Sequence, residues 1–145
     1  MLCLSHNFST RVIDMRFPLT LLCVPLIVHF YVSAFYMGWH LPDPLWTLHA
    51  KNHLVRAMFG GAGLAAVGLA LVFIPFRRGE VWAWWALVVV GFFAIGGFWL
   101  SYAIAEFAEP TEEKKAILVN GLSLLSYSLG LAFGWRALKK THAVG

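Results

Sequence analysis

Residues 57–76 read AMFGGAGLAAVGLALVFIPF and contain no charged side chain. A run of about 20 apolar residues is long enough to cross a hydrocarbon core of about 30 Å as an α-helix. The run is continuously apolar and does not alternate, so it predicts a helix rather than a strand of a transmembrane barrel. This stretch therefore indicates a helical membrane protein.

The rest of the chain contains three more apolar runs, and the four predicted spans cover about residues 17–39, 48–76, 81–107 and 116–138. Turn-forming segments separate them at Pro42-Asp43-Pro44, Arg77-Arg78-Gly79 and Glu109-Pro110-Thr111. Asp43 before Pro44 is a favourable N-cap, which predicts that the second helix begins there. We predict an all-α fold, a transmembrane four-helix bundle with short loops.

The composition supports this class of protein. Of the 145 residues, 60% are hydrophobic and 12% are charged, and the mean hydropathy is +0.73, whereas soluble domains are roughly 45–50% apolar and about 25% charged. Four spans use nearly the whole chain, so we predict a single integral membrane domain over residues 1–145. The Lys and Arg residues lie at the ends of apolar runs and form no basic face, which argues against a nucleic-acid partner.

The first 14 residues are mixed in character, and residues 15–18 read MRFP. We expect residues 1–14 either to be untranslated, with a start at Met15, or to be disordered. The apolar run that follows is longer than the core of a signal peptide, which has about 7–15 residues, and it lacks a clear A-x-A cleavage site. We therefore expect the first span to be retained.

The basic residues predict the orientation in the membrane. Those that fall on one side of a four-span chain are Arg11, Arg16, Arg77, Arg78, Arg136, Lys139 and Lys140. The positive-inside rule assigns this side, and with it both termini, to the cytoplasm. Because organelle-targeting features are missing from the sequence, we expect a bacterial inner membrane.

Polar side chains form one stripe on each predicted helix, and such groups are costly in lipid unless they have partners or a function. Spacings of three and four residues place each set on one helical face. The stripes are His29, Ser33, Tyr36 and His40; His49, His53 and Arg56; Tyr102 and Glu106; and Asn120, Ser123 and Tyr127. We predict that they meet in a polar pocket near the extracytoplasmic face. Its candidate ligand-binding residues are His40, His49, His53, Arg56, Glu106, Asn120, Tyr36 and Tyr102.

The pair of His49 and His53 is the most specific chemical signal. Two imidazoles four residues apart can bind a metal ion when a third ligand, such as His40, Asp43 or Glu106, converges on them. They can equally carry protons or make interfacial hydrogen bonds without further function. The HExxH glutamate is missing, so a zinc-protease site is excluded.

His29 lies nearer the middle of the membrane. Three roles are possible for His29: a haem ligand, a proton relay, or a neutral side chain hydrogen-bonded to a hydroxyl group.

Rows of small residues predict where the helices approach one another. Ser126, Gly130 and Gly134 lie four residues apart on the fourth span, and Gly61 and Ala65 lie four apart on the second. Such rows allow close contact between helix backbones. We expect them to pack inside one bundle, with homodimerisation as the alternative.

The loop at residues 39–49 reads WHLPDPLWTLH and leads into a second span that begins with histidines. Together with four short-looped helices, this resembles the small four-helix membrane proteins of the DoxX-like group. The resemblance implies a compact bundle, and members of the group have been proposed as quinone-linked oxidoreductase subunits or have no assigned function. This chain has no catalytic motif of the group to carry over.

Three hypotheses of function follow. The first is an accessory or ligand-binding bundle whose polar pocket holds a small ligand, a quinone or a lipid head group. The second is a membrane-bound redox protein that binds a metal, haem or quinone through His40, His49, His53 and Glu106. The third is a proton-coupled transporter subunit, which would have to dimerise. Whether the protein is an enzyme stays open, and its expected partners are the lipid bilayer and either a second copy or a membrane complex.

Arg56 lies inside the apolar part of the second span, where a charged side chain costs about 2.5–3.5 kcal/mol at the helix centre. Glu106 is the carboxylate best placed by depth to neutralise it, so we predict a salt bridge between the two. The bridge would either fix two helices or anchor an anionic group.

Replacing Arg56→Leu alone should destabilise the protein because the Glu106 carboxylate loses its partner, whereas Arg56→Leu combined with Glu106→Leu should cost less. The free energy of unfolding in detergent micelles measures both effects. Equal losses in the single and the double variant would rule out the pair.

Overall fold

Helices account for all the regular secondary structure in the described part of the chain. The structure, a computed structural model, describes residues 15–104 and 110–142, with the backbone alone at positions 36, 37, 39, 104, 110–113, 141 and 142. The helices are α1 (Arg16–His40), α2 (Leu48–Phe73), α3 (Val81–Ala94), α4 (Gly96–Ile104) and α5 (Pro110–His142), with a 3-10 turn at Phe76–Arg78.

In the part of the chain that the structure describes, four helical segments are long and apolar enough to cross a membrane: Arg16–Phe35, Leu48–Arg78, Val81–Ala103 and Lys114–Lys140. This confirms the predicted all-α fold with four potential spans. Helix α1 packs against α2 and α5, and α3 also packs against α2 and α5, so the helices form a closed bundle. We call the end where α1 leads into α2 the histidine end, and the end where α2 leads into α3 the basic end.

The second helix begins later than the sequence predicted. Thr47 is its N-cap, and the Thr47 Oγ1 accepts a hydrogen bond from the Ala50 amide at 3.2 Å. Asp43 instead closes a turn, since its Oδ1 accepts from the Leu45 amide at 2.9 Å. The expectation that Asp43 caps the helix was wrong, because the residues after Asp43 form a separate turn and the helix starts only after Thr47.

The third predicted span is interrupted at Ile95, which separates α3 from α4. The Ile95 amide still donates to the Gly91 carbonyl at 2.9 Å, but Gly96 and Gly97 follow directly. Adjacent glycines lower helix propensity and are frequent positions of kinks. The last residues of this predicted span, 105–107, lie outside the described residues.

The distribution of apolar side chains fits a lipid environment. Leu22, Leu26 and Leu87 are completely buried between the helices, whereas Phe59 and Phe92 are more than two-thirds exposed, at 69% and 68%. Exposed apolar side chains of this size occur on all the spans. An apolar surface this extensive is unfavourable in water, and lipid tails would cover it.

The small-residue row of α5 packs inside the bundle, as the first of the two alternatives predicted. A Cβ at Gly130 would lie 2.8 Å from the Leu22 side chain, and one at Gly134 would lie 2.5 Å from the Phe76 ring. A Cβ at Gly61 would lie 3.1 Å from the Ser33 hydroxyl of α1. These glycines therefore allow neighbouring helices and the 3-10 turn to approach closely.

Ser126, the third member of the α5 row, contacts the backbone of α1. Pro25 lies within α1 and has no N–H, so the carbonyl of Leu21 lacks its usual donor one turn later. The Ser126 hydroxyl donates to this carbonyl at 2.9 Å. In hydrocarbon an unpaired carbonyl costs several kcal/mol, so Ser126 replaces the missing amide.

Two aromatic side chains make the same type of bond between α3 and α5. The Tyr127 hydroxyl donates to the Leu87 carbonyl at 2.8 Å, and the Trp84 indole donates to the Leu131 carbonyl at 2.8 Å. A Cβ at Gly91 would overlap the Tyr127 ring, so this glycine makes room for it. Helix α5 is thereby fixed against both α1 and α3.

Replacing Ser126→Ala should destabilise the protein by roughly 0.6–1.7 kcal/mol, the range of strong side-chain hydrogen bonds between membrane helices. In a Pro25→Ala background the same replacement should cost close to nothing, because the introduced alanine supplies the backbone amide that the Leu21 carbonyl needs. Unfolding free energies of the four proteins in the cycle measure the coupling. The proposed compensation is wrong if Ser126→Ala costs the same in both backgrounds.

Candidate functional site

The two histidines at the start of α2 lie side by side. The Thr47 cap starts the helix, and one turn separates His49 from His53. Their Nε2 atoms are 3.1 Å apart, and the ring centroids are 4.5 Å apart in an edge-to-face arrangement. A contact of this length requires one ring to donate and the other to accept. Both imidazoles are exposed, so they remain accessible to a ligand or a proton.

Arg56 continues the same stripe three residues beyond His53 and is also exposed. The three side chains present two imidazoles and a guanidinium along one face of the first turns of α2. Glu106 lies outside the described residues, so its pairing with Arg56 stays a prediction.

His40 lies at the end of α1 and stacks on Trp46, with ring centroids 4.6 Å apart and an interplanar angle of 26°. Two backbone hydrogen bonds of 3.3 Å fold the loop back. The Asp43 amide donates to the His40 carbonyl, and the Trp46 amide donates to the Asp43 carbonyl. Both rings are half-buried. Sequence reasoning named His40 but missed Trp46 as its partner, although the six-residue spacing across a Pro-Asp-Pro turn was a usable signal. The side chain of Tyr36 is not among those described.

The described residues do not complete a metal centre. Among the described side chains, no group of three or more His, Cys, Asp or Glu residues is placed to hold a metal ion. His40 and Asp43 therefore do not join His49 and His53 in a three-ligand site, and two imidazoles alone form an incomplete ligand set. Metal binding by His49 and His53 stays a prediction.

Tyr102 and Asn120 occupy separate environments. Tyr102 is half-buried and lies nearly parallel to Phe98, with ring centroids 6.3 Å apart. The side-chain amide of Asn120 donates to the Ala116 carbonyl of its own helix at 2.9 Å. Asn120 also faces a small, partly open cavity.

The cavity has a volume of about 30 Å³, which is room for one water molecule. It lies between α1 and α5 beside the break in the third span, and its lining residues are Pro25, Val28, His29, Val32, Ile95, Val119, Asn120 and Ser123. Three of these residues are polar, so the cavity brings together parts of two predicted stripes. Sequence reasoning missed Ile95, for which the adjacent Gly96-Gly97 pair was the available signal.

On its other side, the His29 ring faces α2. Its Nε2 lies 3.2 Å from the position that a Cβ on Gly61 would take. The imidazole therefore lies between the glycine of α2 and the cavity next to α5, and it is half-buried.

Comparisons of the chain with protein-family models, with curated proteins and with solved structures give no match. The resemblance to the DoxX-like group stays a prediction. The function of this four-helix protein has to be inferred from the chemistry of its own side chains.

Proposed function

We propose that the protein is an accessory bundle of the bacterial inner membrane that binds an amphiphilic ligand with an oxygen-rich head group at its histidine end. In this proposal both termini are cytoplasmic, so the histidine end faces the extracytoplasmic side. The observation that carries the proposal is the exposed stripe of His49, His53 and Arg56 at the start of α2.

The stripe has the donors that such a head group needs. A guanidinium offers several N–H donors in a fixed plane and binds phosphate or carbonyl oxygens in pairs. The neighbouring imidazoles add a donor whose position is set by the contact of 3.1 Å between His49 and His53. Because the stripe lies at the start of α2, near the predicted membrane surface, the ligand can keep its apolar chains in lipid while its head group contacts the three side chains.

The cavity beside His29 is too small for such a ligand, so we propose the exposed stripe as its site. The cavity beside His29 holds about 30 Å³, far less than a quinone ring requires. A quinone and a phospholipid share the relevant chemistry, since both present oxygen acceptors on an apolar tail.

Titration calorimetry of the detergent-solubilised protein with decylubiquinone, and separately with dihexanoylphosphatidylcholine, should show saturable binding of at least one probe. Replacing Arg56→Gln should weaken that binding about tenfold, because a charged hydrogen bond is worth about 1.5–3 kcal/mol. His53→Leu should also weaken it.

The matched control is Asn52→Gln, which changes an exposed neighbour of the stripe and should leave the affinity unchanged. The probe that binds identifies the ligand class. Binding of neither probe, or equal affinity in all variants, would reject the proposal.

The cavity favours a second candidate function, the handling of protons by a dimeric transporter subunit. His29, Asn120 and Ser123 line a space large enough for water, and an imidazole next to bound water can accept and release a proton.

In liposomes that contain the protein and a pH-sensitive dye, His29→Ala should abolish any protein-dependent proton flux, and Ser123→Ala should reduce it. Ser128→Ala, at an exposed position of the same helix, serves as the control and should keep the flux of the unmodified protein. Flux that persists unchanged in His29→Ala, or no flux above empty liposomes, excludes this function.

A further inference from the structure

We propose that the basic end binds the head group of an anionic phospholipid between the turn at Arg77–Arg78 and the last turns of α5. This site lies at the opposite end of the bundle from the histidine stripe, so it does not depend on the proposed function.

The described side chains at this end carry mostly positive charge. Its cationic side chains are all exposed: Arg16, Arg77, Arg78, Arg136, Lys139 and Lys140. Among the described side chains of this end, Glu80 is the sole carboxylate, and it accepts a hydrogen bond from the Trp82 indole. The end therefore presents a surplus of positive charge that an anionic head group can neutralise.

Packing contacts bring together the three parts of the chain that carry these cations. Phe76, at the start of the 3-10 turn, is completely buried and lies against Gly134 of α5. This contact holds the Arg77–Arg78 turn beside the C-terminal part of α5. Phe17 and Phe133 meet edge to face with ring centroids 5.2 Å apart, so the start of α1 lies there too.

The turn that presents Arg77 and Arg78 has a fixed shape. Gly79 ends it in the left-handed conformation with φ 82°, and its amide donates to the Phe76 carbonyl at 2.9 Å. A side chain at this position would strain the backbone. The two guanidinium groups therefore extend from a defined backbone.

Aromatic rings mark the depth at which a lipid head group would lie. Trp84 contacts both Trp85 and Trp135, with ring centroids 4.7 and 4.8 Å apart. The Lys139 ammonium lies over the Trp135 ring, 5.3 Å from its centroid. Tryptophans prefer the membrane interface, so a cation held on such a ring lies at the level of lipid phosphates. This depth favours a membrane lipid over a soluble anion.

Native mass spectrometry of the full chain, with dioleoylphosphatidylglycerol and dioleoylphosphatidylcholine added in equal amounts, tests the site. We expect a preference for the anionic lipid that falls about tenfold or more in Arg77→Gln/Arg78→Gln, given the contribution of each basic residue near anionic lipid. Arg77→Lys/Arg78→Lys should retain most of it, because the charge remains. A charge-retaining variant also shows whether a loss reflects misfolding.

The matched control is Lys51→Gln/Lys114→Gln, which removes two positive charges from the other end of the bundle and should keep the preference. Equal binding of the two lipids by the unmodified protein, or equal losses in the two Gln double variants, would overturn the proposal. Displacement of the anionic lipid by millimolar inorganic phosphate would also overturn it, since the site would then recognise free phosphate.

Discussion

A backbone carbonyl that its own helix cannot satisfy links two helices of this bundle. Pro25 removes one donor from α1, and the Ser126 hydroxyl supplies another to the Leu21 carbonyl across the interface at 2.9 Å. In water a solvent molecule could take this role, whereas lipid offers no substitute. The bond therefore fixes both the contact and the register of α1 and α5, and α1 is the helix that also packs against α2.

The other interhelical bonds satisfy the polar groups of the aromatic side chains that make them. Side chains from α3 and α5 donate to carbonyls of the facing helix, and glycines such as Gly91 and Gly134 make room for the rings that pack there. Lipid tails are as apolar as the core of a bundle, so in lipid the burial of apolar side chains contributes little to the association of helices. Specific hydrogen bonds and close backbone contacts stabilise the association instead. They also hold the C-terminal cations of α5 beside the Arg77–Arg78 turn.

Hydropathy was sufficient to predict the four potential spans, and residue spacing was sufficient to predict that Ser126, Gly130 and Gly134 pack against other helices. Both features depend on local sequence. The break at Ile95 depends on two glycines whose effect varies with their surroundings. The choice of Thr47 over Asp43 as N-cap depends on the backbone that follows each residue, which is a turn after Asp43 and a helix after Thr47. The cavity beside His29 arises from three segments far apart in sequence, and no single stripe predicts which residues meet there. The resemblance to a known family offered no further help, because it carried no motif on which residue roles could be transferred.

The volume enclosed by four helices limits where chemistry can occur in such a protein. The interior beside His29 has room for about one water molecule, so it suits a proton or a structural water and no larger ligand. At the two ends of the described bundle, exposed polar side chains could recognise a larger molecule. The two ends differ in character, since one presents imidazoles next to an arginine and the other presents exposed cations, of which Lys139 lies over a tryptophan. Because hydrogen bonds between the helices fix the interior, the two ends could bind different ligands through their own side chains without any change in the fold.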